Sequence, residues 1–350
     1  MDDLQLLRVA LRVLAALFVA ALAFIAAHGV WLLLRRRWRA ARLAEGRAVM
    51  AGVATAPALE PQAVRRLRAL PPNIQSQLLV ELTRNLGGSV RERVGVLARE
   101  LGLLDHARRL SRSRFWWRRL RGLRLLTAFG GDEAEAVLPH FHDSHPAVRA
   151  QAAEWAGDHP SPAAVRALLE MLADPATLCR FAVQDSILRV GLAAAEPLAE
   201  HLARSSGCAA APALEVAAAL AQPEFAEPAL RLCGDPDPEV RAQAAAVVGA
   251  VQAPECAVVL AGLLADPDAR VRATAAAALG RIGHWPAAPA VAKLLRDPAF
   301  PVRRAAGLAL RGLGSPGMLL LGRYRADTDP FAADMARQVL DLPDTAPGAA

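Results

Sequence analysis

Four histidines raise the first chemical possibility in this chain. His140, His142 and His145 fall within His140-Phe-His142-Asp143-Ser-His145, and His159 follows fourteen residues later. Imidazoles and a carboxylate at such short spacing have the composition of a zinc site, so His140, His142 and His145 are the candidate metal ligands. Two features weigh against them. Asp143 stands at a repeated position described below, and the segment reads as a turn between helices, where polar side chains serve as caps. No metal is therefore expected. The four cysteines, at 179, 208, 233 and 256, contain no C-x-x-C pair and are expected inside repeat helices as buried, reduced thiols. No Ser/His/Asp spacing, Gly-rich phosphate loop or H-E-x-x-H motif occurs. No catalytic or cofactor-binding residue is nominated, and no cofactor is expected.

The elements that position these residues repeat. Asp143, Asp174, Ser205, Asp235, Asp266, Asp297 and Thr328 lie 31, 31, 30, 31, 31 and 31 residues apart. Around them the text recurs: Asp235-Pro-Asp-Pro-Glu-Val240-Arg241, Asp266-Pro-Asp-Ala-Arg-Val271-Arg272, Asp297-Pro-Ala-Phe-Pro-Val302-Arg303. Earlier copies read Asp143-Ser-His-Pro-Ala-Val148-Arg149 and, more loosely, Asp174-Pro-Ala-Thr-Leu-Cys179-Arg180. A fixed period in this range marks a solenoid, whose units bury their apolar faces against their neighbours. After each turn, apolar residues at i, i+4 and i+8 (Val240/Ala244/Val248, Val271/Ala275/Leu279, Val302/Ala306/Leu310) form one face of a helix. A preceding helix carries Leu260/Leu263/Leu264 and its equivalents. Gly157, Gly249 and Gly280, eight residues after the arginines, are expected to end the helices with positive φ.

The pattern Asp-Pro-x-x-x-Val-Arg-x-x-Ala-Ala-x-Ala-Leu-Gly resembles HEAT repeats, specifically the short bacterial kind related to phycobilin-lyase repeats, over residues 111–342. The resemblance implies that Asp143, Asp174, Asp235, Asp266 and Asp297, with Arg149, Arg180, Arg241, Arg272 and Arg303, form a structural hydrogen-bonded ladder between units. It also implies that the second helices line a concave surface. Gln151, Glu154, Asp185, Gln243, Thr274 and Arg304 are then the candidate partner contacts. The alanines around them suit a docked helix or extended peptide. The 205–234 unit departs from the pattern: Ser205 replaces the aspartate and Ala211 the arginine, so the ladder is expected to break there. Residues 111–142 read as a diverged first unit with Trp117-Arg118 in the Val-Arg phase, and 328–342 as a cap. Two enzyme families share the architecture. HEAT-like di-iron hydroxylases need several His-Glu dipeptides, of which this chain has none; a lyase-like or metal-dependent enzyme is the alternative function.

At the other end, residues 13–34 run 22 residues without a formal charge, enough to span a bilayer core of roughly 30 Å. Arg35-Arg36-Arg37-Trp38-Arg39 follows, and Trp31 and Trp38 sit where an interfacial aromatic belt would lie. Asp2 and Asp3 precede the run and the stronger basic cluster follows it, so a retained single-pass anchor is expected, with the repeats in the cytoplasm. His28 inside the run is a candidate contact for a partner helix. The net charge of +7 hides a division. Up to Leu125 there are 23 arginines against 8 acidic residues; the remainder has 18 basic and 26 acidic. A basic collar beside an anchor suits anionic lipid, whereas a net acidic repeat array excludes nucleic acid as the partner. Arginine outnumbers lysine so heavily (Lys293 alone) that a GC-rich bacterial genome is expected. Arg108 to Arg124 contains eight arginines around Phe115-Trp116-Trp117; the aromatics are expected in the core and the arginines in solvent.

The expected architecture is all-α: a short N-terminal segment (1–12), a transmembrane helix (13–34), a basic juxtamembrane segment and linker (35–72), a helical pair (73–110) that breaks at Gly87-Gly88 and restarts at a Ser89–Glu92 capping box, the α-solenoid of HEAT-like pairs (111–342), and a frayed tail (343–350). The expected function is a membrane-anchored, non-enzymatic scaffold in the bacterial inner membrane. It would bind a membrane-bound or membrane-recruited protein through the concave face.

Overall fold

A computed structural model describes residues 3–55, 60–85, 89–129 and 133–343. The side chains of 3–13, 15, 16, 52–55, 82–85 and 89–92 lie outside that description, as does the tail from residue 344. Gly87-Gly88 and the Ser89–Glu92 capping box therefore fall outside it too. The described residues are helical, with no strand among them, and divide into two compact units, one up to residue 131 and one from residue 132.

The first unit contains α1 (Asp3–Thr55), α2 (Pro61–Arg68), α3 (Pro72–Asn85), α4 (Ser89–Glu100), α5 (Leu103–Ser111) and α6 (Trp116–Phe129). The helix that begins before the apolar run does not stop at residue 34. α1 runs on through the arginine cluster, because Arg, Ala and Leu are strong helix formers and no proline intervenes. Within it, Leu17–Ala51 is long and apolar enough to cross a bilayer, and none of its most apolar 18-residue window, of mean hydropathy 2.3, is buried within the protein. Past the arginines α1 packs on α3. Arg39 donates to Gln77 at 3.0 Å, Arg47 pairs with Glu81, and Gly46 lies against Leu78. Ser111–Phe129, expected to open the solenoid, belongs to this unit instead. α5 and α6 close on each other at Gly122, where a Cβ would come within 2.7 Å of the Ala107 carbonyl oxygen.

The second unit alternates short first helices with longer second ones: α7 (Ala134–Val137), α8 (Pro146–Asp158), α9 (Pro162–Glu170), α10 (Thr177–Val190), α11 (Ala195–Arg204), α12 (Ala211–Leu220), α13 (Ala226–Leu232), α14 (Pro238–Val251), α15 (Ala257–Leu263), α16 (Ala269–Ile282), α17 (Ala288–Lys293), α18 (Phe300–Gly312), α19 (Ser315–Tyr324) and α20 (Pro330–Leu340). Many second helices start with Pro in the first turn, where its missing N–H costs nothing, and α14 and α16 also have an Asp cap. Each second helix from α8 to α20 lies against the next in the series, and the repeated apolar positions (Val148, Val240, Val271, Val302, Leu279, Leu310) are fully buried between them.

Gly157, Gly249 and Gly280 do not end helices. They lie inside α8, α14 and α16 with ordinary helical φ. A Cβ on Gly249 would sit 2.6 Å from Ala278 Cβ, and one on Gly280 2.7 Å from Ala309 Cα. These glycines let consecutive second helices touch backbone to backbone. The left-handed residues that do end α14 and α16 are Gln252 and Gly283.

Candidate protein-binding face

Behind the second helices runs the polar ladder. Arg149 Nε and Nη2 donate to Asp174 Oδ2 and Oδ1 at 2.7 and 2.9 Å. Arg241 makes the same bidentate pair with Asp266 (2.8 and 2.9 Å), and Arg272 with Asp297 (2.7 and 3.0 Å). Each arginine also donates Nη1 to the carbonyl of its own turn aspartate. Each of these three aspartates accepts a backbone N–H two residues on. Charged hydrogen bonds of this kind hold the ionised form. The Arg149 guanidinium keeps Asp174 below the usual carboxylate range, and Arg241 does so for Asp266. Burial works to raise Asp297, but Arg272 and the Ala299 N–H outweigh it and hold Asp297 low as well.

The ladder stops at both irregular units. Arg180 finds no carboxylate at Ser205 and donates to the Asp174 and Pro175 carbonyls. Asp235 instead accepts from the Gly207 N–H, and Arg231 crosses over to the Leu202 and Ser205 carbonyls, covering for the arginine missing at Ala211. At the C-terminal end, Asp327 rather than Thr328 occupies the turn position. It accepts the Asp329 N–H, as Asp266 accepts that of Asp268, but its ion-pair partner is Arg296. Arg303 is left with a buried Nε lacking a hydrogen-bond partner, its guanidinium between the Phe300 and Phe331 rings.

On the solvent side two adjoining grooves open between second helices. One, of about 360 Å³, lies between α14 and α16 and is lined by Glu239, Gln243, Arg270 and Thr274 with small alanines between. The next, of about 520 Å³, lies between α16 and α18 and is lined by Arg281, Phe300, Arg304 and Leu308 over Ala277 and Ala305. Pro301 borders both. Of the expected contact positions, Gln243, Thr274 and Arg304 come together here. Gln151, Glu154 and Asp185 do not line these grooves: Gln151 is buried and donates to Glu154 (2.9 Å), while Asp185 pairs with Arg189 (3.1 Å). Sequence reasoning missed Glu239, Arg270, Phe300 and Leu308. Each lies four residues from a nominated position, one helical turn along the same face, and that spacing could have found them.

The histidine cluster does not converge. His140 Nδ1 lies 3.5 Å from Asp143, His145 Nδ1 accepts the Ala147 N–H at the start of α8, and His159 stacks on Trp155 with its Nδ1 at the Trp155 carbonyl. His142 is exposed. No group of metal-holding side chains occurs among the described residues. Cys179, Cys233 and Cys256 are buried, and burial beside Cys256 pushes the Cys233 thiol up to about 12. Cys208 departs from expectation: it is exposed, in a 3₁₀ turn before α12.

In the first unit, Phe115, Trp116 and Trp117 are exposed rather than in the core, because the positions α6 buries come later, at Gly122, Leu123, Leu125, Leu126 and Phe129. On α1, Arg35 lies over the Trp31 ring and Arg42 over Trp38, with Arg36, Arg37 and Arg39 exposed around them. His28 stacks between Phe24 and Trp31 of its own helix.

Residues 256–341 match a family model described as HEAT repeats. The fold is similar to solved karyopherins. Kap121p bound to Nup53p compares at a TM-score of 0.59 and 12% identity, covering 80% of this chain and 37% of that one. Kap121p bound to the extreme C-terminus of the phosphatase Cdc14p compares at 0.59 and 13%, covering 83% and 38%. Kap95p with RanGDP compares at 0.50 and 13%, covering 81% and 50%. The chain thus spans half or less of each of these proteins, and at such identities the likeness is one of fold. No curated protein matches the sequence. Residues 256–341 thus match HEAT repeats, in a chain whose described residues have the helical-solenoid fold.

Proposed function

We propose that this protein is a membrane-anchored, non-enzymatic scaffold that binds a protein partner along the second-helix face of its repeats. The observation that carries this reading is the pair of adjoining grooves between α14, α16 and α18. Their floors are alanine, their rims carry Glu239, Arg270, Arg281 and Arg304, and Phe300 and Leu308 stand exposed at one end. Shallow apolar troughs with charged rims suit a docked helix or extended segment better than a small polar substrate. The similar karyopherin structures hold protein ligands, which supports the same use here. We further propose that α1 spans the bacterial inner membrane with the repeats in the cytoplasm, the arginines at 35–39 resting on anionic headgroups. The partner is then membrane-bound or recruited to the membrane.

The test is native purification in mild detergent through a C-terminal tag, with Ala273→Arg and Ala305→Arg as groove-filling variants. A stoichiometric protein retained by the wild type and lost from both variants is the expected result. A preparation that instead carries stoichiometric metal or a bound small molecule, lost on changing His140 and His142 to Ala, overturns the scaffold reading in favour of an enzyme.

A further inference from the structure

The tip of the α5–α6 hairpin presents apolar surface and positive charge together. Phe115, Trp116 and Trp117 are 38%, 43% and 50% exposed. Their rings are not loosely splayed. Phe115 and Trp117 stack at 5.7 Å, with the Arg114 guanidinium 4.6 Å over Phe115 and that of Arg118 4.9 Å over Trp117. The backbone beneath is braced: Arg119 donates to the Ser113 and Arg114 carbonyls, and the Phe115 N–H donates to Ser113 Oγ. Beside the tip lies a cavity of about 450 Å³, lined by Asn73, His106, Leu110, Trp117, Arg118 and Arg121, with no carboxylate on its wall. Burial, and after it the neighbouring Arg109 and Arg121, hold the His106 imidazole below its ordinary value.

We propose that this hairpin tip is a second bilayer-contact site, separate from α1, in which Trp116 and Trp117 enter the headgroup layer while Arg114, Arg118 and Arg121 hold the phosphates of anionic phospholipid. Aromatic rings with a polar edge, flanked by arginines whose charge can reach past them, are the side chains that partition to such an interface. The occupant is set by placement. α3, whose Asn73 forms a wall of the cavity, is clamped to α1 by the Arg39–Gln77 and Arg47–Glu81 bonds. Arg39 is five residues beyond the apolar run, about 8 Å along the helix axis. If α1 spans a bilayer, α3 is therefore held close to its surface. The proposal rests on that reading of α1, and the experiment below separates the two.

The full chain is placed in nanodiscs of brominated phosphatidylcholine, alone or mixed with brominated phosphatidylglycerol, and tryptophan quenching is compared between wild type and Trp116→Phe/Trp117→Phe. All forms carry Trp285→Phe and Trp155 is buried, so in the double variant the remaining quenched emission comes from Trp31 and Trp38 and reports on α1 alone. The expected result is an additional quenched component in the wild type. It should be present with phosphatidylglycerol, lost in phosphatidylcholine alone, and diminished when salt is raised from about 0.1 M to 1 M, which shortens the Debye length from ~10 to ~3 Å. Arg114→Gln/Arg118→Gln/Arg121→Gln keeps every fluorophore and should lose that component while keeping the α1 signal. Equal quenching in wild type and the Phe variant, with the α1 signal intact, overturns the second site. Loss of the α1 signal itself overturns the anchor reading instead. A Trp116/Trp117 response to single-stranded RNA but not to lipid charge would assign the patch to nucleic acid and equally overturn the proposal.

Discussion

Arg272 and Arg180 are the same residue of the repeat, yet their removal should cost very different amounts. Arg272 makes a bidentate pair with Asp297, whose side chain is 5% accessible, and also donates to the Asp266 and Pro267 carbonyls. Arg272→Met strands that carboxylate with only the Ala299 N–H as donor. Leaving a buried charge without its partner costs about 3–5 kcal/mol. Arg180 faces Ser205, so Arg180→Met forfeits bonds to backbone carbonyls and a long one to Thr177 Oγ1, at about 1 kcal/mol. Arg272→Met/Asp297→Asn keeps an acceptor for the Ala299 N–H but removes the stranded charge, and should recover about half of the loss. Because repeats open locally, the assay is native-state hydrogen exchange of the full chain in mild detergent, read on the amides of α16 and α18 for Arg272 and of α8 and α10 for Arg180. The first variant should exchange faster by roughly two to three and a half orders of magnitude, the second by less than about tenfold. Equal acceleration by both arginine variants, or no recovery on adding Asp297→Asn, would refute the claim that the ladder stabilises by pairing charge.

The same ladder sets a pH signature. Asp266 is held low by Arg241, so its charge contributes stability above the unfolded value of about 4 and loses it as pH falls through the lower folded value. The melting-point gap between wild type and Asp266→Asn should be steady near neutral pH, begin to close below about pH 4 and keep closing as pH falls through the lower folded value; a gap independent of pH contradicts this. Gly280→Val drives a side chain into Ala309 and should destabilise by about 1–3 kcal/mol in chemical denaturation, whereas Gly283→Ala, where a Cβ meets nothing, strains only φ and should cost about 1 kcal/mol. A maleimide should label one thiol in the native protein, Cys208, and four after denaturation; native labelling of Cys233 would show that its burial is wrong.

What was legible in the sequence was whatever the period repeats. Val240, Val271 and Val302 recur in phase because each must fill the same space, and Arg241 and Arg272 recur because each meets the next turn's aspartate. Quantities set by what lies across an interface were not legible. Gly249 and Gly280 have the spacing of helix ends, and only the neighbouring helix shows that they are contact points. The slip to Asp327 was hidden because Thr328 keeps the 31-residue count while the turn's hydrogen bonds follow the carboxylate. Trp117 falls in the buried-valine phase, yet α6 packs through Leu123 and Leu126, leaving the ring outside. The arginine cluster looks like a break in an apolar run, although nothing in its residue types prevents α1 from continuing through it. Of the six nominated contact positions, the three that line the grooves lie in α14, α16 and α18, where the repeats are most regular. Gln151, Glu154 and Asp185 are engaged by Arg189 and by each other, an arrangement no single repeat encodes.

The measurement that bears most directly on the scaffold reading is site-specific photo-crosslinking in the native membrane, with a photoreactive side chain at Thr274, in the groove between α14 and α16, or at Val258, 78% exposed on the first helix α15. The account predicts one discrete protein adduct from position 274, abolished by Ala273→Arg, and none from 258. No adduct at 274, or the same adducts from both positions, would contradict it.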